Sequence, residues 1–287
     1  MVFSGRGVRR DPPGASLSSW YPAPPLSTHS TQVHPSAQGG ATLPWGDAFE
    51  AGVDYAPGMS LAVLIPAFNE AEQLPRTLAG IARALPGAPI IVVENGCTDS
   101  TPELARSLGA EVVSQPGRGY TATIVAGYRH CLARGVSRVI QMDADGQHPP
   151  DAAPQLLAAL GHADLVTGSR QGTGSPGTLP RRIGNALLAG AVRATTGEPL
   201  QDVMSGFWAL ERSSLELFAR SFPLPGGAAD ANVRVFALRH GLTVREVPVF
   251  MPVRIHGDSM HSGLQGVRGL AASVRSLGLA LAERTRP

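Results

Sequence analysis

Arg138-Val139-Ile140-Gln141-Met142-Asp143-Ala144-Asp145-Gly146-Gln147-His148 is the stretch that decides the fold. Its first half is of strand length, with Val139, Ile140 and Met142 apolar, and its second half is polar and rich in carboxylates. A carboxylate at the end of an apolar strand is costly unless a cation or a donor answers it. Asp143 and Asp145 flank one residue, so in extended chain their side chains point the same way. With the amide oxygen of Gln147 they form a hard oxygen set suited to Mg2+ or Mn2+ bridging a diphosphate. Alone, Asp-x-Asp is a weak signal that usually marks a turn. Its place at the end of a buried strand gives it weight.

Working outward, the same grammar repeats. Residues 61–65 form an apolar run closed by Pro66, and residues 70–85 carry helical spacing at Leu74, Leu78, Ile81 and Leu85. A β-branched run follows at 89–93, then Gly96 and a helix start at Thr98-Asp99-Ser100. Further strands are expected at 111–113 and 164–167, with a helix over 121–133. Continuous apolar strands separated by helical crossovers predict an α/β domain whose parallel sheet is covered on both faces. Ligands of such sheets sit beyond the C-terminal strand ends, where strand order switches. Two more polar clusters stand at such ends: Pro66-Ala67-Phe68-Asn69-Glu70 after the first strand, and Glu94-Asn95-Gly96-Cys97-Thr98-Asp99 after the second. Three clusters therefore converge on one edge.

Composition limits the chemistry available there. The chain has 287 residues, and all 24 of its basic residues are arginine. Without lysine, a Schiff base, a P-loop and a kinase-type phosphate lysine are all excluded. Codon bias toward Arg, Ala, Gly and Pro is the simplest cause, and the exclusion holds whatever the cause. Any bound anion must be held by arginine forks, backbone amides, helix N-termini or a metal. A net charge of +2 with scattered arginines predicts no nucleic-acid partner. Cys97 and Cys131 show neither metal spacing nor a disulfide framework, which suits a reducing cytoplasm. No run reaches 18 apolar residues, and the N-terminus lacks the apolar core of a signal peptide. Residues 1–58 hold eight Pro, eight Gly and seven Ser with no apolar periodicity, and read as a disordered tail.

Taken in order, Pro66-x-x-Asn69-Glu70, Gly96-x-Thr98-Asp99 and Asp143-Ala144-Asp145-Gly146-Gln147-His148 resemble the family 2 inverting glycosyltransferases of the GT-A fold. Later segments resemble the polyprenyl-phosphate group within it, the dolichol-phosphate mannosyltransferase-like proteins: Gly168-Ser169-Arg170, Arg181-Arg182-x-x-Asn185, Asp202-x-x-Ser205-Gly206-Phe207, Glu246-Val247-Pro248-Val249 and residues 254–259. The likeness runs from about 61 to 262, and the expected catalytic domain is 59–262.

The resemblance implies a role for each matching position. Pro66, Ala67, Asn69 and Glu70 correspond to the floor under the base and ribose. The next motif usually reads Asp-Asp-Gly-Ser, and here it is Glu94-Asn95-Gly96-Cys97; Asn95 brings an amide that donates as well as accepts, which leaves uracil and guanine both open. Gly117-Arg118-Gly119-Tyr120 matches the loop near the nucleotide. Asp143, Asp145 and Gln147 match the Mg2+ or Mn2+ and diphosphate site. Arg170, Arg182 and Asn185 fall near the acceptor phosphate, Asp202 and Ser205 on the sugar and acceptor side, and Arg254 with His256 in a loop over the donor phosphates. The family's Ser-Lys is Ser259-Met260 here. Arg181 and Arg182 also read as the charged side of an amphipathic helix with Ile183, Leu187 and Leu188.

The implied reaction moves a hexose from a GDP- or UDP-sugar to a polyprenyl phosphate with inversion. The catalytic candidates are Asp145, Asp202 and Arg170, with Asp202 the base if the acceptor is instead a soluble hydroxyl. A non-catalytic nucleotide-sugar-binding protein is the other reading; a sugar-1-phosphate nucleotidyltransferase lacks its glycine-rich basic loop here. Residues 263–287 read as a C-terminal amphipathic helix whose face over 263–284 is suited to the bilayer interface. Such a chain is expected in the cytoplasm, at the cytosolic face of the membrane, with membrane contact peripheral or supplied by a separate subunit.

Overall fold

The computed structural model describes residues 54–56, 59–115, 117, 119–175, 177–222 and 230–252. Arg118, Arg254, His256, Met260, the helix expected over 263–284 and the tail as far as residue 53 lie outside them. Its strands are β1 (Asp54–Ala56), β2 (Met59–Ala67), β3 (Ile90–Glu94), β4 (Glu111–Ser114), β5 (Arg138–Gln141), β6 (Leu165–Ser169), β7 (Trp208–Glu211) and β8 (Val244–Pro248). Its helices are α1 (Leu74–Ala84), α2 (Thr101–Ser107), α3 (Gly119–Ala133), α4 (Ala153–Leu160), α5 (Leu179–Thr196), α6 (Arg212–Ser221) and α7 (Asp230–Arg239). The sheet runs β4-β3-β2-β5-β7-β6-β8, with β1 paired antiparallel to β2. β1 thus lies inside the stretch read as tail, because a three-residue edge strand is too short to show a period.

All pairs from β4 to β5 are parallel, as is β6 with β8, whereas β7 runs antiparallel between β5 and β6. The sheet is therefore mixed and mainly parallel. Successive residues of β2 divide between two cores. Ala62 and Leu64 face the side packed by Ile124, Tyr128, Val192 and Phe218, while Leu61, Val63 and Ile65 face Leu74, Leu78, Ile81 and Leu156. Burial on both faces is why the strand reads as an unbroken apolar run.

Pro66 does not end β2, contrary to the sequence expectation. In a parallel ladder alternate residues bond to opposite neighbours. Leu64 O accepts from Met142 N on the β5 side, and Ala67 O accepts from Asn95 N on the β3 side. Pro66 faces the β5 side beyond the point where that ladder stops, so its missing N–H forfeits no bond. The gap this leaves is where the chain turns away at Asp143. Chain order switches here too, since β3 and β5 flank β2 on opposite sides.

α3 packs closely on this centre because of Gly127. A Cβ there would stand 2.5 Å from Leu64 Cδ1 and 3.0 Å from Val93 Cγ2. Gly127→Val should destabilise the protein by about 1–3 kcal/mol through overpacking. Gly190→Ala, on α5 with nothing within 4 Å of the new methyl, should be neutral or stabilising. Urea unfolding of both variants checks the contrast.

Candidate active site

The turn after β5 is braced from within and from α1. Gln147 N donates to Asp145 Oδ1 at 2.9 Å, and Thr77 Oγ1 donates to Ala144 O at 3.1 Å. Gly146 has φ 78°, and an added Cβ there would meet Gln73 Nε2 at 2.7 Å. The left-handed φ favours glycine, and a larger residue would also have to displace the end of the Gln73 side chain. Asp143 N donates to His148 Nδ1 at 2.9 Å, and the His148 ring lies on Phe207 with centroids 5.2 Å apart. Burial first, and then the charges of Arg170 and Arg181, hold the His148 pKa down at about 3. His148 is therefore neutral at physiological pH, with Nδ1 the acceptor of the Asp143 N–H.

The two loops after β2 and β3 are sewn together. Asn69 sits at φ 55°, with Oδ1 accepting from Thr98 N at 2.8 Å and Nδ2 donating to Thr98 Oγ1 at 3.1 Å. Glu70 N donates to Thr101 Oγ1, and Asp99 accepts from Ala71 N and Thr101 N. Glu94 is absorbed by its own turn: Oε2 accepts from Gly96 N and Cys97 N, and Oε1 accepts from Ser114 Oγ. Burial pushes its carboxyl upward, but these donors outweigh that and leave its pKa below the ordinary 4.5. Neighbouring Asn95 is different, because its buried Oδ1 has no hydrogen-bond partner.

On the far side of the turn, Arg170, Arg181, Arg182, Asn185, Asp202 and Met204 line a cavity of about 270 Å³. Arg170 leaves the end of β6, and Arg181 and Arg182 open the first turns of α5, where helix N–H groups add positive potential. Asp202 is buried and accepts from Arg170 N at 2.9 Å and from Arg170 Nη1 at 3.1 Å. Glu246 on β8 accepts from the N–H groups of Gln201 and Asp202. Asn185 Nδ2 donates to Gln201 O at 2.6 Å and ties α5 to the same loop.

The loop from Asp202 to Phe207 is secured from beneath by buried donors. Arg234 donates to Val203 O and Ser205 O, Trp208 Nε1 to Ser205 O at 2.6 Å, and Gln141 Nε2 to Gly206 O. Ser205 itself is fully buried, and its hydroxyl accepts from Phe207 N. It builds the loop and does not open on the cavity, unlike the ligand contact the resemblance implied.

A family model described as glycosyl transferase family 2 matches residues 62–218. The chain belongs to that family. It is 32% identical over 233 residues to undecaprenyl-phosphate mannosyltransferase of Micrococcus luteus, covering 77% of this chain and 95% of that protein. With polyprenol monophosphomannose synthase of Mycolicibacterium smegmatis it shares 33% identity over 224 residues, 72% of this chain and 83% of that one. Glucosyl-3-phosphoglycerate synthase from Mycobacterium tuberculosis, solved with Mn2+, UDP-glucose and phosphoglyceric acid, matches with a TM-score of 0.62 at 22% identity, covering 86% of both chains. The fold is GT-A, and the protein is a glycosyltransferase.

For this glycosyltransferase, Asp143, Asp145 and Gln147 lie on one turn, and Arg170, Arg182, Asn185 and Asp202 around one cavity. The Asp202–Phe207 loop borders both groups, since Asp202 and Met204 line the cavity and a Cβ on Gly206 would stand 3.6 Å from Asp143 Oδ2. Pro66, Ala67, Asn69, Glu70, Glu94, Asn95 and Gly119 sit at the neighbouring strand ends and the start of α3. The sequence places Arg181, Tyr120, His148 and Gly206 within motifs but gives none of them a role of its own. For Arg181 the available signal is its pairing with Arg182 at a helix start, which also reads as the charged side of an amphipathic helix. Among the described residues no three His, Cys, Asp or Glu side chains cluster to hold a metal by themselves. Asp143, with its side chain one-third exposed, and Asp145 supply two carboxylates, which fits an ion that takes its other ligands from a diphosphate and water.

The low Glu94 pKa has a consequence for stability. A carboxylate depressed in the folded state stabilises it above the unfolded pKa, and that contribution is lost as pH falls through the folded value. Glu94→Gln should be less stable than wild type at neutral pH, with the gap closing as pH drops below about 4.5. Urea titrations at a series of pH values read this directly.

Proposed function

We propose that this glycosyltransferase moves a hexose from a nucleoside diphosphate sugar to a polyprenyl phosphate. The observation that carries the reading is the arginine-lined cavity beside the Asp143–Asp145 turn, with an apolar stripe on the same helix. Leu179, Ile183 and Leu187 follow one another at four-residue steps on α5 and are 68%, 52% and 69% exposed. A phosphate head among Arg170, Arg181 and Arg182 with an isoprenoid tail along that stripe matches an amphiphilic acceptor. The Micrococcus and Mycolicibacterium relatives, whose names specify undecaprenyl phosphate and polyprenol, support the same acceptor class. Among the described residues no helix is long and apolar enough to cross a membrane. The enzyme would therefore meet its lipid at the bilayer surface.

The acceptor favours a phosphate because none of the cavity groups is a free base. Asp202 is engaged by the backbone and guanidinium of Arg170, so its role is to orient that arginine. A phosphate monoester is already anionic near neutral pH and attacks without deprotonation. Its oxygen forms a bond to the anomeric carbon as the bond to the donor's diphosphate oxygen breaks, and the electron pair leaves with the nucleoside diphosphate. Backside attack inverts the centre. A divalent ion at Asp143 and Asp145, when bound, offsets charge on the departing diphosphate. Arg170, Arg181 and Arg182 align the nucleophile by forked hydrogen bonds. Asn95, with its unpaired amide oxygen, faces the choice of base.

Purified enzyme incubated with Mn2+, undecaprenyl phosphate and radiolabelled GDP-mannose or UDP-glucose should give an organic-soluble glycolipid with one of the two donors. Transfer only to a soluble hydroxyl compound would overturn the acceptor assignment. Asp145→Ala should lower turnover at least about 100-fold under saturating Mn2+. Wild-type turnover in that variant would remove the metal from the account.

A further inference from the structure

Two carboxylates of one turn are held in different ways. Asp145 Oδ1 accepts from Gln147 N inside the turn itself. Asp143 is held by Tyr120 from α3 and, through its backbone N–H, by His148 at the end of the same loop. Tyr120, the second residue of α3, donates its hydroxyl to Asp143 Oδ1 at 3.2 Å. The Asp143 N–H donates to His148 Nδ1 at 2.9 Å, and His148 is fixed in turn by burial and by its stack on Phe207, 13° from parallel. Gly206, the residue before Phe207, closes the group: a Cβ there would stand 3.4 Å from Tyr120 Oη, 3.6 Å from Asp143 Oδ2 and 3.7 Å from His148 Cε1. The start of α3, the β5 turn and the Asp202–Phe207 loop thus meet around one carboxylate, whose side chain is one-third exposed.

We propose that Tyr120 and His148 are positioning residues that hold the Asp143 carboxylate in the geometry with which it ligates the divalent ion. The proposal rests on the reading of Asp143 and Asp145 as that ion's ligands. Groups that orient a metal-binding side chain shape affinity nearly as strongly as the ligands themselves, because a carboxylate free to rotate loses entropy on binding. Tyr120 has a second consequence. It ties the beginning of α3, next to Gly117 and Gly119, to the ion's ligand, so a nucleotide near those glycines and the ion share one support.

The test is Mn2+ binding to the full chain, followed by the electron paramagnetic resonance signal of free Mn2+ with GDP or UDP present. Tyr120→Phe removes one oxygen and should raise the Mn2+ Kd about 10- to 100-fold, with an equal rise in the Mn2+ needed for half-maximal transfer and no change in acceptor KM. His148→Leu should act in the same direction. His148→Asn, whose Oδ1 can accept the Asp143 N–H, should recover part of the loss. If the His148 variants fail to fold, Tyr120→Phe decides alone. Wild-type Mn2+ affinity in Tyr120→Phe overturns the proposal. A wild-type protein that binds no Mn2+ with either nucleotide overturns the metal reading, and the proposal with it.

Discussion

A carboxylate taken out of water must be answered by charge or by donors, and at this sheet edge Asp202 is answered by Arg170. The backbone N–H and the guanidinium of Arg170 both bond to it, while Glu246 accepts from the N–H of Asp202 itself. The result fixes the Asp202–Phe207 loop, which forms one wall of the arginine cavity and also reaches Asp143 through Gly206. Breaking the pair would leave an uncompensated buried charge and release both walls together.

Around that anchor the cleft is divided by charge. Asp143 and Asp145 stand on one side, and Arg170, Arg181 and Arg182 on the other. His148, buried on the carboxylate side, is uncharged because burial and the charges of Arg170 and Arg181 oppose its protonation. A neutral ring whose Nδ1 accepts a backbone N–H serves the carboxylate side only. This separation is suited to a reaction in which an anionic nucleophile and an anionic leaving group occupy opposite sides of one carbon.

Much of this was legible in the sequence, because the parallel half of the sheet is buried on both faces and betrays itself as apolar runs. Residues 138–148 alone placed a strand and its polar end correctly. What escaped was set by tertiary context. Pro66 looked like a strand terminus because its partner strand's end cannot be seen in sequence. β7 was missed since Trp208–Glu211 is only four residues long and inserts antiparallel, after a motif that drew attention to its polar residues. Glu94 looks like a ligand, but helical or strand spacing does not show that its oxygens also brace its own turn and accept from Ser114. Ser205 points inward for the same kind of reason: its backbone carbonyl is held by Trp208 and Arg234, and its hydroxyl turns to Phe207. Arg181 was read as surface charge because helical spacing says which residues share a face, not what lies opposite.

The absence of lysine acquires a definite meaning in this setting. In the proposed reaction phosphate recognition falls to arginine forks, which orient an anion where an ammonium would only attract it. The central claim is that the cavity of Arg170, Arg181 and Arg182 holds the acceptor's phosphate, separately from the site of the nucleoside diphosphate. Calorimetric titration with a short-chain prenyl monophosphate addresses it most directly, comparing wild type with the Arg181→Ala, Arg182→Ala double variant. The account predicts that the double variant loses prenyl phosphate binding while Mn2+–nucleoside diphosphate affinity is retained. Unchanged prenyl phosphate affinity in that variant would contradict it.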